Sequence, residues 1–426
     1  MAEQTVDVKS PVITDRRNEA IHYLAMLVWP FGIMIDAFRH WEKPWSKNVF
    51  WLFCIFFGYT FIIAKSSSSL DSAAVARQFV NYTHANMSLG ELWRTFYSES
   101  SNIVDIVQPL LFLLVSSVTD NPTILFTVFA VIFGYFYSRN LWLVLGYIKG
   151  NFNIVLFVFF LTFALTNPIW NINGFRMYAA AQIFLYGTLS YLLEGKSKKI
   201  IWSAVSVLFH YSFLLPVVIL FLFTIIKNRI NIYLGFFVLT AFIKELDLQM
   251  VRSFLSFLPP VFQLRVEGYT STEYAAAISS IKQSASWFLP LSSKCIAWVT
   301  YGMSLFIYFF YRETLKERKD LITLFCFSLL LCGFANIMSL IPSGHRFLSI
   351  SHSFIFPLFI IFISNTPVTR GLSIIKGISM PLLIFYCLIT IRLGMEHYGL
   401  MTLFGNPIYA TFSDSVPLIE GIKGLF

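Results

Sequence analysis

The chain has 426 residues, of which 57% are hydrophobic and 12% charged, and its formal net charge is +9. A soluble domain carries about 25% charged residues, so this chain cannot cover a water-facing surface of the size that its length requires. The composition excludes a soluble globular protein and predicts an integral membrane protein. Its apolar runs are long and continuous, which favours transmembrane helices over a β-barrel.

The apolar segments predict an all-α fold, a polytopic transmembrane bundle of about 11 to 13 membrane segments, some of them short or re-entrant. No internal repeat is visible, so residues 1–426 are expected to form a single membrane domain. The segments lie near residues 20–36, 49–64, 106–118, 123–138, 153–170, 175–193, 200–226, 231–246, 288–311, 321–341, 347–364 and 378–393.

Short clusters of Lys and Arg separate many of these segments. Basic residues near helix ends are retained in the cytoplasm, so the clusters are a topology signal and no nucleic-acid partner is expected. With all of them inside, three long segments lie outside: residues 65–105, residues 247–287 and the tail 394–426. The clusters are found at residues 39–47, 139–149, 196–199, 227–229, 312–319 and 370–376.

Residues 106–118, IVQPLLFLLVSSV, are too short to cross a bilayer. A helix of about 13 residues rises about 20 Å, less than the roughly 30 Å of the hydrocarbon core, and Pro109 weakens it further. We therefore predict a re-entrant or interfacial helix on the outer side.

Residues 199–226 form a long apolar run that is interrupted in the middle by His210, Tyr211 and Ser212. Basic residues flank the run on both sides, and a single span would place one of these clusters outside. Two limbs of about 12 to 14 residues that enter and leave from the cytoplasm keep both clusters inside. The sequence predicts a short helical hairpin with the HYS triplet at its apex.

Ionisable residues at the outer membrane edge are candidates for function, because each costs several kcal/mol to hold there. Arginine binds phosphate oxygens bidentately, so these residues suit an anionic, phosphorylated substrate. A histidine with a pKa near neutrality suits a general base or acid. The candidates are Arg176, His210, Arg265, Glu267, His345 and Arg346, together with Tyr211 beside the histidine.

Each candidate also has a purely structural interpretation. Arg176 and Arg346 can contact lipid headgroups, and His210 can be satisfied by a backbone carbonyl at a helix end. Arg265 and Glu267 can form an exposed ion pair of little energetic weight. We find no P-loop, no CxxC pair, no HExxH and no carboxylate cluster on an outer loop, so a metal-dependent reaction is disfavoured and no cofactor is expected.

Two blocks of sequence resemble a known family. In NINGFRMYAAAQIFLYGTLSYLLEGKSKKIIWSAVSVLFHYSFLLPVVIL, residues 171–220, an arginine is followed by small residues, a helix, a basic turn and an HYS triplet about 34 residues later. This order is similar to the EpsG-like branch of the Wzy-type bacterial polysaccharide polymerases. Residues 105–126, DIVQPLLFLLVSSVTDNPTILF, also resemble the family, in which an E-P or Q-P pair precedes a short apolar segment.

The resemblance implies a glycosyltransferase of the bacterial cytoplasmic (inner) membrane whose active site faces the periplasm. Such enzymes move a growing chain from undecaprenyl pyrophosphate onto the next lipid-linked repeat unit, so the lipid-linked donor and acceptor are the expected partners, and a chain-length regulator is a further candidate. In this interpretation His210 activates the acceptor hydroxyl and Glu267 is the second choice. The residues that would bind pyrophosphate or glycan are Arg176, Arg265, Arg346, His345 and Tyr211.

Two other functions remain open from the sequence. A membrane-bound acyltransferase also places a histidine in an apolar helix. A flippase or transporter for lipid-linked oligosaccharide would suit the many apolar segments, although paired halves with corresponding broken helices are not visible.

Overall fold

A computed structural model describes residues 19–63, 71–85, 87–96, 105–256, 260–413 and 415–424. In this part of the chain every regular element is helical, and the all-α, polytopic fold class is confirmed. Short 3-10 helices lie at Ile169–Gly174, Ser197–Lys199 and Tyr211–Phe213. The α-helices are α1 (Pro30–Arg39), α2 (Ser46–Tyr59), α3 (Asp71–His84), α4 (Leu89–Phe96), α5 (Val107–Ser116), α6 (Pro122–Leu145), α7 (Ile154–Thr166), α8 (Phe175–Glu194), α9 (Ile200–Phe209), α10 (Leu214–Ile226), α11 (Ile230–Thr240), α12 (Leu248–Phe254), α13 (Pro260–Thr270), α14 (Thr272–Ser284), α15 (Phe288–Glu317), α16 (Lys319–Met338), α17 (Arg346–Asn365), α18 (Arg370–Gly394), α19 (Leu400–Phe404), α20 (Pro407–Ala410) and α21 (Leu418–Lys423).

Within the described residues, five apolar helical stretches are long enough to cross a membrane. One of them, Ile154–Glu194, contains the 3-10 turn between α7 and α8 and is therefore not one straight helix. Shorter apolar helices accompany the five, so the predicted total of 11 to 13 segments depends on how many of these enter the membrane and stays a prediction. The other four stretches are Pro122–Leu145, Lys319–Met338, Arg346–Asn365 and Arg370–Gly394.

The bundle has two distinct ends. At one of them the backbone N–H of Lys149 donates to Ser364 Oγ (2.7 Å), at the end of α17, and Tyr147 Oη donates to the Leu193 carbonyl (3.1 Å), at the end of α8. Tyr147 also interacts electrostatically with the start of α16. This end, from which the basic turn 196–199 leads into α9, is called the basic end.

Residues 200–226 form the predicted hairpin. Helix α9 runs ten residues from the basic end, His210 ends it in an extended conformation (φ −153°, ψ 115°), and α10 follows the Tyr211–Phe213 turn. After α10, Asn228 Nδ2 donates to Thr323 Oγ1 (3.0 Å) in the first turns of α16. The chain thus leaves the hairpin at the end where it entered, which confirms the two-limbed arrangement.

The short helix predicted at residues 106–118 is α5, ten residues long and therefore about 15 Å in rise. The Ile106 N–H donates to the Leu208 carbonyl (3.1 Å), so α5 begins beside the hairpin apex. Helix α6 follows it, and Phe129 near the start of α6 stacks on Phe175 (3.9 Å), the first residue of α8. Both ends of α5 therefore lie at the end opposite the basic end, and α5 does not cross the bundle.

The three segments predicted as outer loops contain short helices in their described parts. Helices α3 and α4 occupy 65–105, α12 to α14 occupy 247–287, and α19 to α21 occupy 394–426. The second segment contacts the loop before α17 through Tyr274 Oη and Ser343 Oγ (2.6 Å), again opposite the basic end. Their location outside the cell and the single-domain organisation stay predictions.

Candidate functional site

Asp105 is the centre of a buried charged cluster opposite the basic end. Its side chain is 3% exposed and accepts hydrogen bonds from Arg176 Nη1 (2.9 Å), His210 Nδ1 (3.1 Å to each carboxylate oxygen) and the Tyr211 backbone N–H (3.0 Å). A carboxylate this deeply buried requires charged or hydrogen-bonded partners, and these groups supply them. Asp105, Arg176 and His210 are called the Asp105 cluster, and it unites two of the residues predicted from the sequence.

Three separate stretches of chain build the cluster. Asp105 precedes α5, Arg176 is the second residue of α8, and His210 ends α9. Because the hairpin reverses at His210, the Tyr211 N–H lies in the first turn of a new helical segment, where it has no acceptor within the helix. The Asp105 carboxylate accepts this bond and so ties α5 to the apex of the hairpin.

The pKa of the Asp105 carboxyl lies below its usual value. Burial alone would raise this pKa, but the hydrogen bond and charge of His210, the charge of Arg176 and the Tyr211 N–H together outweigh burial. The carboxylate is therefore ionised at neutral pH and can only accept hydrogen bonds. His210 Nδ1 must carry the hydrogen, so the lone pair of the neutral imidazole is on Nε2.

The cluster is closed around Asp105 and more open around its partners. The side chain of Arg176 is 44% exposed and that of His210 is 13% exposed. No described residue forms a hydrogen bond with His210 Nε2, and Arg176 uses one of its five donors on Asp105. One carboxylate therefore positions both the imidazole of His210 and the guanidinium of Arg176.

A second, looser ion pair lies at the same end of the bundle. Arg346 Nη2 is 3.9 Å from Asp71 Oδ2, and the two side chains are 33% and 55% exposed. Tyr178 interacts electrostatically with both, and a small pocket beside them is lined by Arg346, Tyr178, Ser349 and Ser353. An exposed pair at this distance contributes little stability, so the guanidinium can exchange the carboxylate for another anion at small cost.

The other predicted site residues have different positions. The Tyr211 ring lies edge-on to the His210 ring (centroids 5.6 Å apart) and so borders the Asp105 cluster. Glu267 is exposed on α13, and His345 is exposed immediately before α17. Arg265 lies in α13, and its side chain is outside the described residues. The roles of these three residues stay predictions.

Sequence reasoning missed Asp105. Carboxylates were sought as metal ligands or as a base on an outer loop, whereas Asp105 stands alone at the start of DIVQPLL, 105 residues before His210. The position of Asp105 in the sequence could have indicated its role. An acid at the start of a short apolar helix needs a cationic partner if it is buried. Among the described residues, no three His, Cys, Asp or Glu side chains are grouped as a metal site.

The fold and the site define a polytopic, all-helical membrane protein with an Asp–His–Arg cluster, centred on a buried aspartate, at one end of its bundle. The EpsG family model matches residues 91–404, a range that contains the whole cluster and Arg346. The chain therefore belongs to the EpsG family, which indicates a polymerase-like membrane protein of polysaccharide biosynthesis and confirms the resemblance seen in the sequence. No curated protein and no solved structure matches the chain significantly.

Proposed function

We propose that the protein is a glycosyltransferase that polymerises oligosaccharide repeat units carried on undecaprenyl pyrophosphate, at the outer face of the bacterial cytoplasmic membrane. The main support is the Asp105 cluster, in which one buried carboxylate holds a histidine and an arginine together opposite the basic end of the bundle. Membership of the EpsG family supports the same reaction class.

His210 is the proposed general base. Its Nε2 accepts the proton of a hydroxyl at the non-reducing end of the acceptor, and the hydroxyl oxygen forms the new bond to the anomeric carbon of the donor chain. Asp105 keeps Nδ1 protonated and stabilises the imidazolium that results. General-base catalysis of this kind contributes about 10²–10⁴-fold to a rate. His210 then releases its proton to solvent.

Arg176 is the proposed partner of the leaving group. As the new bond forms, the bond between the anomeric carbon and the pyrophosphate oxygen breaks, and the lipid pyrophosphate takes the electron pair. A guanidinium that is nearly half exposed and held beside His210 can stabilise this developing charge. The reaction needs no cofactor in this proposal, because the free energy is stored in the glycosyl pyrophosphate.

The looser Arg346–Asp71 pair is proposed to bind a phosphate of the second lipid-linked substrate, since Arg346 can release Asp71 readily. Arg265, His345 and Glu267 are proposed to line the path of the glycan outside this pair. A chain-length regulator is proposed as a protein partner.

Polymerisation by the purified protein tests the proposal. Full-length protein in liposomes is supplied with the lipid-linked saccharide fraction extracted from a source strain that lacks this protein. A ladder of products that differ by one repeat unit is expected. His210→Gln is expected to lower the rate by about 100-fold or more, whereas His84→Gln, a change at an exposed histidine on α3, is expected to keep it.

The same assay separates the alternatives. Movement of the lipid-linked fraction across the bilayer without lengthening would indicate a flippase, and transfer of an acyl group without lengthening would indicate an acyltransferase. Either result would overturn the polymerase proposal. A full-rate ladder with His210→Gln would leave the polymerase in place and remove His210 as its base.

A further inference from the structure

A continuous row of aromatic side chains connects α2, α6, α8 and α9, from the middle of α6 and α8 to the first turn of α9. Tyr135 is 5.5 Å from Trp51 and 5.2 Å from Phe136 between ring centroids, and Phe136 is 5.4 Å from Tyr186 and 5.3 Å from Trp202. Tyr135 is 36% exposed and Trp202 is 37% exposed, so the row reaches the surface of the bundle. These five residues are called the aromatic strip.

Two cations lie on the aromatic strip. The Arg139 guanidinium is 4.1 Å from the Tyr135 ring centroid and 5.1 Å from that of Trp51. The Lys199 ammonium is 3.9 Å from the ring centroid of Tyr186 and also contacts its hydroxyl. Tyr135 and Tyr186 both contact Phe136, so the aromatic strip connects the two cations.

Neither cation has an acidic partner in the described part of the chain. Arg139 donates to two neutral oxygens, Ser138 Oγ and Asn48 Oδ1 (2.7 Å each), and the partner of Lys199 is a phenol. In contrast, Lys196 only three residues away is paired with a carboxylate (2.8 Å). Two positive charges that contact no carboxylate attract an anion at a membrane surface.

We propose that Arg139 and Lys199, held on the aromatic strip, bind the headgroup of an anionic phospholipid in the leaflet at the basic end. The guanidinium presents a planar fork to phosphate oxygens, and the ammonium adds a second charge. Partly exposed Tyr and Trp rings favour the headgroup level of a bilayer. Arg139 donates to Asn48 in the first turn of α2, and Lys199 directly precedes α9, so both cations lie on the side of the aromatic strip that faces the basic end. Because this site is opposite the Asp105 cluster, it does not depend on the proposed polymerase reaction.

Binding of phosphatidylglycerol to the purified full-length protein tests this site. The protein is titrated in neutral detergent with short-chain phosphatidylglycerol, with phosphatidylcholine or with inorganic phosphate, and bound lipid is counted by native mass spectrometry. Phosphatidylglycerol is expected to bind most tightly. A basic residue that contacts the headgroup changes the affinity for anionic lipid roughly fivefold, so Lys199→Gln is expected to weaken binding by about that factor and Arg139→Gln with Lys199→Gln by roughly 25-fold.

The matched control is Lys149→Gln with Lys198→Gln, which removes the same charge from two exposed lysines at the same end. This control is expected to bind phosphatidylglycerol as the natural protein does. Equal weakening in the control and in the strip variants would overturn the site, as would equal binding of phosphatidylcholine or full binding by Lys199→Gln. If Arg139→Gln with Lys199→Gln does not fold, Lys199→Gln still tests the site, because it removes only one surface contact.

Discussion

At the scale of single residues, the Asp105 carboxylate receives hydrogen bonds from two side chains and one backbone N–H that come from two other parts of the chain. Removing one member of a fully buried charge set costs about 3–5 kcal/mol, and the exposure of Arg176 (44%) lowers this cost here. Asp105 bonds to both His210 and Arg176, so its loss would free two side chains, whereas the loss of either partner would remove only that partner's contacts.

Asp105→Asn separates the charge of this residue from its shape. The amide has the same size, but it neither fixes the Nδ1–H tautomer of His210 nor stabilises the imidazolium. We expect the rate of ladder formation to fall by about 10²–10⁴-fold while the protein remains folded. The rate in the liposome assay and the melting temperature in detergent measure the two effects separately.

Asp120→Asn is the control for this change, because Asp120 is an exposed acid between α5 and α6. It is expected to retain the natural rate. An Asp105→Asn variant that polymerises at the natural rate would show that the carboxylate has only a structural role.

At the scale of elements, close packing of α8 on α9 holds the hairpin in place. A Cβ atom added to Gly187 of α8 would lie 2.5 Å from Ser203 Oγ, 2.7 Å from the Ser203 backbone nitrogen and 2.8 Å from the Lys199 carbonyl. Beside it, the hydroxyls of Thr188 and Ser203 are hydrogen-bonded (2.9 Å). Small residues permit such an approach, and in a bilayer this packing is a main source of helix association.

Gly187→Ala is therefore expected to push α9 away from α8. Overpacking of this kind costs about 1–3 kcal/mol, so the melting temperature should fall, and ladder formation should fall with it because His210 ends α9. Gly235→Ala in α11 is the matched control, since nothing lies within 4 Å of its added Cβ and alanine favours a helix. Equal melting temperatures for the two variants would contradict the packing argument.

At the scale of the whole molecule, the structure separates a basic end from an end that carries the Asp105 cluster and the outer helices. The positive-inside rule assigns the basic end to the cytoplasm. Both ends of the hairpin should then be cytoplasmic, and the loop between α5 and α6 should be outside.

Single cysteines at positions 198, 229 and 120 test this orientation in intact cells with a membrane-impermeant maleimide. All three positions are exposed, and the five natural cysteines are buried, so labelling should report the introduced residue. Lys198→Cys and Arg229→Cys are expected to react only after the cells are opened, whereas Asp120→Cys should react in intact cells. Labelling of 198 and 229 from opposite sides would contradict the hairpin. Labelling of 198 and 229 in intact cells, with 120 labelled only in opened cells, would contradict the orientation alone.

Much of the fold could be predicted from the sequence because the determining quantities are local. Hydropathy predicted the five long apolar helical stretches, the length of 106–118 excluded a span, and the basic flanks of 199–226 required two limbs. The outer segments were predicted only as loops, because short amphipathic helices such as α3 and α4 have no long apolar run to mark them.

The candidate site, like the fold, could be predicted only in its local features. By itself, the sequence determined that His210 lies at a break in an apolar run and that Arg176 opens a helix, because both features depend on near neighbours. Only the tertiary structure decided that Asp105 is the acid bonded to them. The physical reason is that a contact between residues 105 positions apart depends on how α5, α8 and α9 pack, and no local pattern contains that information.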